Sequence, residues 1–324
     1  MRLRPVCYAY ALLTSDLIDK HDQNSNAMMR RWLTLSLLLI GIFLCLFYLV
    51  RLFRSGSIVI ELSIYPLVAI ALLYISSICL SVLLWRLLLY TQTGHTISRS
   101  AALAGTAALM IGKYIPGKVL GLVGRISSVS RKIDSKAAVS AAVIEQAYLL
   151  TSLLVLSLLA LISKADNYSL SLLPAMLVLA IVYFPRTLGK QLSKLRRAKF
   201  KPYGDPLMKL TPQISLELFA YALLAAVGII AITWFAVDLL GLDPTPRERL
   251  GLAGAYALGI TAGMLVVIIP GGIGVRETSF ILLAEGLIGP EQAIALAALL
   301  RLINVFADLL TGIIGVIVIR IGRE

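Results

Sequence analysis

Along the chain, apolar runs of membrane-crossing length alternate with short polar stretches, and at two places an apolar run breaks before it is long enough to cross. A helix rises about 1.5 Å per residue, so roughly 20 apolar residues carry it through a hydrocarbon layer of about 30 Å. Full spans are predicted at Trp32 to Val50, Ser63 to Leu84, Ala137 to Ser163, Leu170 to Phe184, Ile214 to Leu240 and Ala293 to Ile319. Trp85 and Arg86 would close the second as an aromatic and basic interfacial anchor. Pro174 gives the fourth a kink or a late start.

The two broken runs share an order of features. A small-residue helix, Ala101 to Met110, leads into IGKYIPGKVLGLVGR (Ile111 to Arg125); another, Leu252 to Met264, leads into VVIIPGGIGVRET (Val266 to Thr278). Proline has no N–H to donate and glycine admits left-handed backbone, so a helix is interrupted at Pro116 and Gly117, and again at Pro270, Gly271, Gly272 and Gly274. The freed backbone groups need partners other than lipid. We read two re-entrant units, at about residues 99–131 and 249–290, as halves of an internal repeat; each could instead comprise two short spans. If one unit opens to the inside and the other to the outside, the pattern is that of inverted-repeat transporters. The expected fold is an all-α polytopic membrane protein with about six full spans plus the two Pro-Gly-broken units. Residues 30–324 would form one transmembrane domain behind a cytoplasmic tail, 1–29, in which Met28 offers an alternative start.

Composition agrees: 59% of the 324 residues are hydrophobic, and mean hydropathy is +0.90. A net charge of +13 would suggest nucleic acid in a soluble protein. Here the basic residues cluster between apolar runs, so nucleic acid is set aside as a partner. The densest cluster is Arg186, Lys190, Lys194, Arg196, Arg197, Lys199, Lys201 and Lys209, opposed only by Asp205. That connection should be cytoplasmic, which places both termini inside in a bacterial inner membrane. Cys7, Cys45 and Cys79 are too scattered for a disulfide framework, and His21 and His95 have no neighbouring ligand set, so no metal or cofactor is expected.

Ionisable residues at membrane depth mark substrate paths or buried pairs. Arg125, Glu145, Arg276, Glu277, Arg301 and Asp308 are so placed. On the last span Arg301, Asn304 and Asp308 follow spacings of three and four, hence share a face that should turn to the broken units. Arg125 with Glu145, and Arg301 with Glu277, would make plain buried ion pairs; together with two broken helices they favour a polar cavity. Arginines, Lys113 and Lys118, with amides freed at glycine turns, suit a phosphate. The carboxylates could neutralise the empty site, bind a sugar or amine, or carry a coupling proton.

The motif YIPGK-x-LG-x-x-GR, Tyr114 to Arg125, paired with the late PGGIGVRE, Pro270 to Glu277, resembles the flippase-like membrane domain of bacterial lysyl-phosphatidylglycerol synthases and of stand-alone proteins encoded beside glycosyltransferases. The resemblance runs from about Trp32 to Ile319 and includes Tyr114 among the site residues. It implies translocation of an anionic phospholipid or a polyprenyl-phosphate-linked glycolipid. Synthesis is not implied, since the soluble synthase domain has no counterpart in this sequence. An accessory protein that holds a glycosyltransferase at the membrane is the alternative from another class. A membrane-embedded transferase would have only Glu145, Glu277 and Asp308 as candidate bases.

Overall fold

A computed structural model describes residues 47, 50, 51, 54, 63–114, 119–130, 133–165, 172–194, 201–266 and 269–321. From residue 63 onward the described elements are helical: α1 (Ile64–Thr93), α2 (Arg99–Gly112), α3 (Val119–Ser127), α4 (Ser135–Ala165), α5 (Leu172–Lys194), α6 (Lys201–Met208), α7 (Pro212–Leu239), α8 (Pro246–Leu265), a 3-10 turn (Pro270–Gly272), α9 (Val275–Ile288) and α10 (Pro290–Ile321). Five are long and apolar enough to cross a membrane: α1, α4, α5, α7 and α10. They occupy five of the six expected spans. The remaining one, Trp32 to Val50, lies outside the described residues apart from Phe47 and Val50, as does the 1–29 tail.

Two expectations from the pattern are corrected. Helix α1 runs to Thr93, and Trp85 is fully buried rather than anchored at an interface. The guanidinium of Arg125 lies 4.4 Å from its ring centroid, and neighbouring Arg86 donates to the carbonyl of Ile97 instead of reaching headgroups. Likewise α5 does not stop at Phe184 but carries the first basic residues to Lys194. Leu188 and Leu192 still face the apolar cluster there, which prolongs the helix past the span. Pro174 lies near the beginning of the described part of this helix, and the residues that would show a late start, 166–171, are outside the described ones.

Helix α6 folds back on α5 where two glycines let the backbones touch. A Cβ added at Gly189 would lie 2.9 Å from the Gly204 carbonyl oxygen and 2.9 Å from the Met208 nitrogen. Gly189→Val is therefore expected to loosen this hairpin by about 1–3 kcal/mol. Limited proteolysis between α5 and α6 should accelerate, with little change elsewhere.

Each broken unit is a helical pair, α2 with α3 and α8 with α9, and α10 packs against both α2 and α9. At 14 and 9 residues, α2 and α3 reach only about 21 and 14 Å. The small residues permit close contact: Gly112 faces Gly121 in the first unit and Gly263 faces Gly272 in the second. Helix α10 is inside-out by soluble standards, with Arg301, Asn304, Asp308 and Thr311 buried and Phe306, Leu309, Ile313 and Val316 exposed. An apolar outer face costs nothing in lipid, and the polar face finds partners within the protein.

Candidate functional site

The site begins as backbone. At the second break Gly271, Gly272 and Gly274 take φ of 59°, 66° and 84°, the left-handed region that side chains resist. This turn aims the Gly271 N–H at the end of α2, where the carbonyl of Lys113 accepts it at 2.7 Å. The second break thus meets the residues that lead into the first. Chain returns into α9 through Gly274, whose N–H is satisfied by Glu277 Oε2 at 2.7 Å.

Around that junction charges gather. Asp308 of α10 is fully buried and accepts from Tyr74 of α1 at 2.6 Å and from Tyr114 at 2.5 Å. It pairs with Lys113 Nζ at 2.7 Å. One carboxylate therefore ties α1, the end of α2 and α10 together. Two turns earlier, Arg301 donates to the Gly271 carbonyl at 3.2 Å and stands 3.3 Å from Glu277 Oε1. That contact is an ion pair at a poor hydrogen-bond angle, leaving Oε1 without a donor. Arg276 lies over the ring of Tyr256, 4.8 Å from its centroid, and donates to its hydroxyl, which Asn304 also approaches. Arg276, Arg301, Glu277, Tyr256, Phe280 and Ala297 line a cleft of about 10 Å³, room for about one water.

Lys113, Tyr114, Arg276, Glu277, Arg301, Asn304 and Asp308 are thus brought together, with three cations against two carboxylates. One formal positive charge is left over. Arg125 and Glu145 instead pair with each other at 2.6 Å, each 1% exposed, in a second cluster under Trp85. Pro116, Gly117 and Lys118 lie outside the described residues, and of Pro270 only the backbone is described. Tyr74 and Tyr256 were missed from the pattern. A hydroxyl in an apolar or small-residue helix needs a partner, and that was the available signal.

Compared with known protein families, residues 32–312 match the one described as the lysylphosphatidylglycerol synthase TM region. No curated protein and no solved structure matches the chain. With most of its length covered by that match, and with five described helices long and apolar enough to cross a membrane, this multi-pass membrane protein belongs to the lysylphosphatidylglycerol synthase transmembrane-region family.

Proposed function

We propose that the protein moves an anionic lipid, a phospholipid or a polyprenyl-phosphate-linked glycolipid, between the leaflets of a bacterial inner membrane. The observation that carries this reading is the junction of the second break with the end of α2, where Gly271 bonds Lys113 within a charge cluster that is one positive charge in excess. A phosphodiester carries one negative charge and accepts forked donors, which Arg276 and Arg301 supply. On this reading the two units form an inverted repeat, and the basic connection and both termini face the cytoplasm. Lys113 and Arg301 exchange Asp308 and Glu277 for the phosphate as the cleft opens, and the acyl or prenyl tails stay in lipid. The glycines at 271, 272 and 274 act as the hinge.

The test is leaflet exchange of labelled phosphatidylglycerol and of a polyprenyl-phosphate sugar in vesicles holding purified protein. Exchange of one of them is expected, with a loss of about tenfold or more in Arg276→Ala and in Arg301→Ala, since each removes a charge-assisted contact worth roughly 1.5–3 kcal/mol. Normal exchange in both variants would overturn the assignment of this cluster. Folded protein that exchanges neither lipid would favour the role of holding a glycosyltransferase at the membrane.

A further inference from the structure

Seven buried side-chain polar atoms among the described residues lack a hydrogen-bond partner at good geometry, and six fall in the second cluster rather than at the lipid site: Trp85 Nε1, Gln92 Nε2, Arg125 Nε, Glu145 Oε2, and Tyr148 Oη and Ser215 Oγ, which face each other. Buried groups of this kind are normally satisfied, by ordered water where protein does not serve. Their neighbours string them into a row. At one end Lys209 donates to the main-chain carbonyl of Gln92 at 2.6 Å, and Ser140 donates to the Gln92 side chain at 3.4 Å. Next come Trp85, Arg125 and Glu145, joined by the stacking and the ion pair described above. Tyr148 lies three residues beyond Glu145, hence on the same face of α4, beside Ser215 and edge-on to Phe219. From Ser140 to Tyr148 the helix rises about 12 Å. Small side chains, Ala138, Ala141 and Ala142, accompany it.

Of the elements packed on α4, namely α1, α3, α5, α6, α7 and α8, α3 alone sets a charged group against Glu145 among the described residues. That group is Arg125. Glu217 of α7 points outward and is exposed, and Lys209 sits at the far end of the row.

We propose that this row is a hydrated proton path ending at Glu145, and that a proton arriving there releases Arg125 and frees the first broken unit to move. The proton comes from water at the Lys209 end. It binds the carboxylate, which becomes neutral, and Arg125 loses its counter-charge. Because Arg125 packs on Gly105 of α2, the release reaches both arms of the unit. The proton path stands on its own geometry; its coupling to lipid movement rests on the translocation reading.

Infrared spectroscopy of the purified protein separates the two. A protonated-carboxyl band that shifts in D₂O should grow as pH falls between about 9 and 4 and be lost in Glu145→Gln, which keeps the shape of the pair. Identical spectra from both proteins would overturn the path. In vesicles, leaflet exchange should vary with pH in the unsubstituted protein and lose that dependence in Glu145→Gln; a retained dependence would overturn the coupling. Should no exchange occur at all, the translocation reading fails and the infrared result still decides the path. If Glu145→Gln does not fold, Ser140→Ala, at the Lys209 end of the row, leaves the ion pair intact and should slow deuteration of the Glu145 carboxyl. An unchanged rate would overturn the proposal.

Discussion

Asp308→Ala is expected to unfold the centre of the molecule as well as abolish exchange. The carboxylate is fully buried and is shared by Tyr74, Tyr114 and Lys113. Truncation leaves two hydroxyls and an ammonium without their acceptor, and the penalty for orphaned groups exceeds the net worth of the bonds. Lys113 is 32% exposed, so part of its loss is recovered by solvent. The sum is about 3 kcal/mol or more. Asp308→Asn should fall between, because the amide oxygen still accepts from one tyrosine while its NH₂ opposes the other donors. Thermal unfolding followed by circular dichroism in detergent checks the order: unsubstituted, then Asn, then Ala.

Gly272→Ala should be comparably harmful for a different reason. A Cβ there would lie 2.7 Å from the Cα of Gly263, with the Gly263 oxygen at 2.9 Å, and these are backbone atoms that cannot swing away. Its φ of 66° adds strain for any side chain. Close packing plus strain comes to about 3 kcal/mol. The consequence is local, so α8 and α9 should separate first. Faster deuterium exchange in those two helices, with α4 and α7 unchanged, is the expected measurement. Gly274→Ala makes the control, since space there is open and only the φ penalty applies.

What the residue pattern could reveal follows from the physics of lipid. Five spans were readable because length and apolarity decide them, and the breaks because proline and glycine interrupt any helix. The buried face of α10 followed from the spacing of Arg301, Asn304 and Asp308. Both buried ion pairs, Arg125 with Glu145 and Arg301 with Glu277, were named from the sequence and are present. Nothing in local spacing, however, set the first pair apart from the Arg276 and Arg301 cluster; the packing of α3 on α4 does that. Trp85 read as an interfacial anchor because tryptophan beside arginine usually is one. The helix continuing to Thr93 buries it instead. Tyr74 was not singled out from the pattern, and the structure sets its hydroxyl on Asp308.

On the translocation reading, the second break and the end of α2 part as lipid passes. Ile111 and Leu265, close before the first and second break, are both exposed and suit spin labels. We would measure the distance between labels at Ile111→Cys and Leu265→Cys by pulsed electron resonance, in protein whose native cysteines are replaced. The account predicts one short distance in neutral lipid and a second, longer population when the exchanged anionic lipid is added. An unmoved distribution in a preparation that still exchanges that lipid would contradict it.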